Sequence, residues 1–511
     1  MRATLTRRLC RVEAKPGRCL LRRREWGRKG REDGGSGVIA CQGTMKHTAV
    51  TVIARLKPSA DLPTLAQYLL AMGQTLSADG DGTIQAKLSE VSGLHFLRLL
   101  IIKDPDRGPE RARLLLAAVI DGDENDESAT DRFLAELGDA LPDLDKIWGG
   151  CEGYVGRDGF VAFMSSNLIR PAAFYVAFKE ENVESLRRYD ALRRRWDELR
   201  FPQGRHSPEG PPPWSGRPFS VLRYWRRFCR WVARPVTLVP QLAATFADGR
   251  RMIRAYGFRP TWAGATTIVR GLNRYPGWRF FNLMTCNFER QARPRLSQVP
   301  VDRTNPPFDR NEQCGFLEAG SHLPGVEDRL EQNQLTLITP IANRQRLNQL
   351  GAVLGAVDSY ARIWSRPGNL LGMSTIHFVR WMPIDDGRRL LMLSDYDHSW
   401  EAYIDEFIEM IRTGMDAIWS SAAKTGVPAY KTGPTELYQD NYLWHGSGDA
   451  STFKHFLRAH QANAHLFYSA QASRTVLHTK EDRQLFRNVS LTMSDHEFRT
   501  RVLENAANEE I

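Results

Sequence analysis

"STIHFVRWMPIDDGRRLLMLSDYDHSW" (residues 374–400) reads as two apolar strands around a tight polar turn, running into the mouth of a helix. Its core, His377-Phe378-Val379-Arg380, returns 282 positions earlier as His95-Phe96-Leu97-Arg98. The flanking sequence repeats in the same order. In the first half, "HTAVTVIARLK" alternates as a strand and residues 62–76 carry apolar positions at helical spacing. The strand pair "GLHFLRLLIIKD" and "ARLLLAAVID" follows, then a helix "TDRFLAELGDAL" ending near "KIWGG". In the second half the succession is strand "LTLITPI", helix "RLNQLGAVLGAVDSY", the quoted hairpin, helix "WEAYIDEFIEMIRTG" and "AIWSS". Ile147-Trp148 and Ile418-Trp419 hold the same place, as core anchors, and "AFYVAFKEENVESLRRY" is set beside "NYLWHGSGDASTFKHFLRAH", each a short strand leading into a helix.

Strand, helix, hairpin, helix, strand is the split βαβ order of a ferredoxin-like unit, an antiparallel four-stranded sheet with helices on one face. One face of each sheet is left bare, and two copies bury those faces against each other. The expected fold class is therefore α+β: two ferredoxin-like repeats packed sheet to sheet, with a basic amphipathic helical insertion between them. The expected organisation is a basic extension at 1–44, repeat 1 at 46–200, an insertion at 201–330, repeat 2 at 331–480 and a C-terminal tail at 481–511.

Charge is local. Of the total of +11, residues 1–44 carry +8 and residues 187–259 carry +12, which leaves the remainder at −9. A polyanion-binding surface across the repeats is not supported, and no nucleic acid is expected as a partner. The Arg-rich segment before Met45 lacks the apolar core of a secretory signal and is read either as a disordered basic extension or as no part of the working protein, Met45 being a second candidate start. Seven cysteines without a CxxC pair point to neither a zinc module nor a disulfide scaffold, so a reducing cytoplasm is expected. No apolar run reaches the length of a membrane span. Within the insertion, Val221, Leu222, Trp225, Phe228, Cys229 and Val232 share one helical face and arginines fill the rest. Two readings stand: residues 218–246 lie on an anionic membrane surface, making the protein peripheral, or the helix packs onto the acidic repeats.

The element order with its repeated HFxR resembles the dimeric α/β-barrel proteins, over residues 46 to about 200 and 330 to about 480. Among them, dye-decolourising peroxidases and chlorite dismutase-like proteins hold haem in the second repeat with an axial histidine and a distal arginine, the peroxidases adding an aspartate. The resemblance implies a haem-dependent oxidoreductase acting on a small apolar substrate. On this sequence it assigns His377 and His460 to cofactor binding and Arg380, Asp397 and Arg458 to catalysis, with Phe453, Phe456, Phe467 and Tyr468 as apolar neighbours. The GxxDG stretch of those peroxidases is absent, "YDHSW" having His398 where a glycine would stand. The rival reading is a non-catalytic scaffold that binds a membrane or a partner. Each residue also has a structural reading. His377 and Arg380, three apart on a strand, point to opposite faces, and their recurrence at His95 and Arg98 suits a bond to a neighbouring strand or carboxylate. Asp397, with Ser399, suits the cap of a helix starting near Trp400, and His460 suits a helix end. No GxSxG, P-loop, GxGxxG opening a helix, HExxH or EF-hand pattern is found.

Overall fold

The computed structural model describes residues 46–74, 76, 83–102, 112–123, 126–200, 331–341, 344–419 and 450–507, with 243, 245–247, 249–254, 258, 261–262 and 265. The extension at 1–44, nearly all of the insertion and the "NYLW" strand lie outside the described residues, and with them the membrane-surface reading of residues 218–246.

The first half runs β1 (His47–Arg55), α1 (Leu62–Gln74), α2 (Thr83–Glu90), β2 (Leu94–Ile102), β3 (Arg113–Asp121), α3 (Glu127–Ala140), α4 (Leu144–Trp148), α5 (Phe160–Ser166), β4 (Ala173–Val176) and α6 (Val183–Arg200). The second runs β5 (Gln332–Pro340), α7 (Arg344–Ser359), β6 (Ile376–Ile384), β7 (Arg389–Asp397), α8 (Trp400–Trp419), α9 (Ala450–Ala459), β8 (Leu466–Ser469), α10 (Val476–Leu485) and α11 (Asp495–Ala507). The class is α+β, with two four-stranded antiparallel sheets. Among the described residues no helix is long and apolar enough to cross a membrane.

Three strands of each sheet come from one half, and the fourth comes from the other. The sheet orders are β1-β3-β2-β8 and β4-β6-β7-β5. The tyrosine-bearing "AFYV" of β4 pairs with β6, and "LFYS" of β8 pairs with β2. The true counterpart of Ala173–Val176 is thus Leu466–Ser469, 293 positions on, not "NYLW". Backbone bonds around the exchanged strands repeat in the same frame. Ile53 N–H donates to Asn167 O at 3.1 Å and Ile338 N–H to His460 O at 2.9 Å; Ala177 N–H donates to His377 O and Ala470 N–H to His95 O, both at 2.9 Å. The two halves therefore repeat the same backbone pairings, strand for strand.

Alternation along the strands sets the layers. Leu97, Leu99 and Ile101 face the helices of the first half, in a cluster anchored by Trp148 and Phe133. Leu100 and Ile102 point the other way, onto Ile338, Met382 and Leu391 of the second sheet. On the second sheet's helix-covered face, Val379 and Trp381 share a cluster with Phe407 and Trp419 of α8. Residues of both sheets thus share one apolar cluster, and Trp148 and Trp419 are buried in the helix-covered cores.

The "C-terminal tail" contains α11. Ser494 opens it, accepting from Glu497 N–H at 3.3 Å through Oγ. Its Phe498 and Val502 pack with Phe486 against Tyr189, Leu192 and Trp196 of α6. Residues 481–507 thus continue the folded body and cover an apolar stripe of the long basic helix.

Candidate functional site

Both copies of HFxR begin with a β-bulge. The register of β2 on β3 shifts between Leu94 and Phe96, and that of β6 on β7 between Ile376 and Phe378. The extra residue is His95 in one strand and His377 in the other. A bulge places two successive side chains on one face and often re-aims a side chain at a functional site. Here it turns each histidine toward the opposite sheet. The His95 ring lies 5.4 Å from Phe378, and the His377 ring 5.7 Å from Phe96. The opposite-faces expectation for His377 and Arg380 fails for this reason: both reach across the gap between the sheets.

Each bulge histidine meets an aspartate at the end of the next strand. His95 Nε2 is 2.8 Å from Asp121 Oδ1, and His377 Nε2 is 2.6 Å from Asp397 Oδ1. The second carboxylate oxygen is also spoken for, accepting from Val183 N–H at 3.0 Å in one copy and Val476 N–H at 2.7 Å in the other. These are the first residues of α6 and α10, so each aspartate bridges a histidine to a helix start. A carboxylate only accepts here, so Nε2 carries the proton and Nδ1 the lone pair. Asp397 therefore does not cap the helix at Trp400; Ser399 does, accepting from Ala402 N–H at 3.3 Å.

The histidines of both dyads line one pocket of about 30 Å³. That is room for about two waters. Its wall is built from equivalent pairs: His47 with Gln332, His95 with His377, Phe96 with Phe378. Phe96 and Phe378 meet edge to face at 5.5 Å, each backed by a stacked ring from an exchanged strand, Phe467 at 6.0 Å and Phe174 at 6.3 Å. The frame is symmetric but its chemistry is not. In the second half, the Gln332 amide donates to Arg474 O and its oxygen accepts from Ser469 Oγ. In the first, His47 Nε2 lies 2.8 Å from Glu181 O and 3.9 Å from Asp121 Oδ1. Burial, with the nearby His95, pushes the His47 imidazole down to about 3, so its ring is neutral.

Farther along the gap, the two arginines repeat each other as well. Arg98 donates to Leu335 O and Ser394 O, both at 3.0 Å; Arg380 donates to Ala118 O at 2.7 Å and Val50 O at 3.3 Å, the equivalent carbonyls. Among the described residues only Arg98 of the two has a carboxylate, Asp395, whose counterpart in the first half is Val119. Burial and the neighbouring Arg98 lower the Arg380 guanidinium to about 9, against the pull of Asp395. Both arginines clamp one sheet to the other.

The five residues assigned from the resemblance do not converge. His377 and Asp397 meet at the pocket, and Arg380 sits in the gap between the sheets. His460 belongs to the far end of β5: its carbonyl pairs with Ile338, six residues from the Gln332 that touches His377, roughly 20 Å along a strand. Its Nδ1 closes α9 on Phe456 O at 2.8 Å, the helix-end role, as Asn167 Nδ2 closes α5 on Phe163 O at 2.9 Å. Burial lowers the His460 imidazole to about 4. Arg458 lies 3.7 Å over the Trp400 ring in the helix layer. The pocket that His377 lines is about a tenth of the 300 Å³ a cofactor site starts from, so these residues do not fit a haem there and no chemistry is routed through one. His47, Asp121 and Gln332 were not singled out in the sequence; aligning the first strands of the two repeats places His47 opposite Gln332, and aligning the second strands of the two hairpins places Asp121 opposite Asp397.

No family model, no curated protein and no solved structure matches this chain.

Proposed function

We propose that the chain is an acid–base enzyme built on the dimeric α/β-barrel plan, with His377 as the proton-transfer group. The single observation that carries this reading is that the histidines of two His–Asp dyads, duplicated with their bulges and helix starts, line one pocket. Two bulges that re-aim a histidine in the same direction serve a ligand better than they serve a core, where an extended strand would pack as well.

The dyad works in three parts. Asp397 holds the Nε2–H, which fixes the tautomer and leaves Nδ1 as the basic atom; among the described residues Nδ1 has no protein partner. When Nδ1 takes a proton from substrate, the carboxylate 2.6 Å behind stabilises the imidazolium. Val476 N–H keeps that carboxylate in place, so the charge is met by a group that need not reorient. Phe96 and Phe378 limit water at the reacting end. The volume suits the end of a small polar molecule rather than a large apolar one.

The test is solvent-deuterium incorporation into a panel of small oxo- and hydroxy-acids, followed by mass spectrometry. Exchange by the wild type that is lost in His377→Asn supports the reading. Undiminished exchange in that variant, or no exchange with any member of the panel, refutes it.

A further inference from the structure

We propose that His47, His95 and Asp121 form a binding site for a divalent first-row transition ion, on the wall of the pocket opposite His377. The inference rests on the acid–base reading for its purpose, a Lewis acid facing a base, and on geometry for its existence.

One nitrogen from each ring and one carboxylate oxygen lie within 4.8 Å of one another. His95 Nε2 and Asp121 Oδ1 are 2.8 Å apart, and His47 Nε2 and that oxygen 3.9 Å; an ion held there takes the place of the Nε2 protons that now face Asp121 and Glu181 O, each ring's proton moving to Nδ1. Ligands about 2.0–2.2 Å from a tetrahedral zinc-class ion stand roughly 3.3 Å apart, between those two spacings. Two imidazoles and one carboxylate leave a coordination position open, as catalytic sites do. The carboxylate is already oriented: Val183 N–H holds Oδ2 at 3.0 Å, and Gly93, at φ +67°, packs so closely that a Cβ there would stand 2.7 Å from Asp121 Cβ. Asp121 is 24% exposed, which gives an ion a way in.

The molecule contains its own control. In the second half the same frame has Gln332 in place of His47. An amide engaged with Arg474 O and Ser469 Oγ is a poor ligand, so the His377–Asp397 copy keeps a dyad while the first copy has a trio.

The experiment is isothermal titration of zinc into metal-stripped full-length protein, read as differences between variants because other histidines and cysteines are present. His47→Gln, which copies the second half onto the first, is expected to remove one tight site or weaken it at least about 100-fold while the thermal unfolding transition stays in place. Unchanged stoichiometry and affinity in that variant overturn the proposal. Should His47→Gln shift the unfolding transition, Gln332→His decides: it builds the same trio around His377 and Asp397, so one added tight site supports the assignment and no added site overturns it. Metal stoichiometry is read without turnover. Loss of this site therefore leaves the His377 reading standing, and failed deuterium exchange leaves the site standing.

Discussion

Replacing Asp395 by valine removes the only carboxylate, among the described residues, bonded to the two arginines between the sheets, and its cost can be worked out from their surroundings. Arg98 is 1% exposed and Asp395 4%, so neither charge is relieved by water. Breaking such a pair by deleting one partner costs about 3–5 kcal/mol. Arg98 keeps Gln334 Oε1, Leu335 O, Thr336 Oγ1 and Ser394 O, which moves the expectation to the low end. A valine at 395 also reproduces Val119, which packs in the aromatic cluster of Phe96 and Phe378, and offsets about 1 kcal/mol. The net loss is then about 2–3 kcal/mol. It is measured as the shift in the urea midpoint of the main unfolding transition at unchanged slope. A compensating Arg98→Met, Asp395→Val double variant should recover most of the loss, since a buried ion pair is replaced by apolar volume. A single variant that loses less than about 1 kcal/mol, or a double variant no more stable than the single, refutes the reasoning.

Further outcomes are expected at the other duplicated positions. His460 has a folded-state value of about 4, below the ordinary 6.5, so the unfolded chain takes up the proton first. Stability from this group is complete above pH 6.5 and is lost as pH falls towards 4, by about 3 kcal/mol. His460→Asn should abolish that share of the acid dependence in urea titrations at pH 7 and pH 4 while keeping the α9 closure, as Asn167 does for α5; an unaltered acid dependence contradicts it. Asp397→Asn puts an amide between two donors, His377 Nε2–H and Val476 N–H, and should lower stability by about 1–3 kcal/mol, read by calorimetry; no loss would mean that the carboxylate is not shared as described. Gly93→Ala forces a side chain onto Asp121 at positive φ and should destabilise by about 1–3 kcal/mol and weaken zinc binding together. Loss of one without the other would separate the backbone from the site.

The duplication was legible because two strands repeated His-Phe-x-Arg, with Ile-Trp at a matching helix end. Pattern and period gave the layers, since alternation alone sends Leu100 and Met382 to the shared core. The strand exchange was not legible. Ala173–Val176 and Leu466–Ser469 are four residues each, and any exposed strand edge satisfies so short a ladder equally well. The bulges were hidden too: a period of two assigns His377 and Arg380 to opposite faces, and one extra residue reverses the parity. His47 escaped notice because its counterpart is Gln332, and the trio assembles only when three strand ends meet. The helix at Asp495 did carry a signal, Ser494 followed by Glu497 at capping-box spacing, within a stretch taken for a tail.

The central claim is that the halves exchange their last strands and thereby bring both dyads to one pocket. Cysteines at Leu99 and Leu466, which pair across β2 and β8, test it by mild oxidation and peptide mapping. The account predicts a 99–466 disulfide, and none when cysteine replaces Trp381, the equivalent of Leu99 in the second half, in combination with Leu466→Cys. A 381–466 disulfide with no 99–466 link would place β8 in its own half and contradict the account.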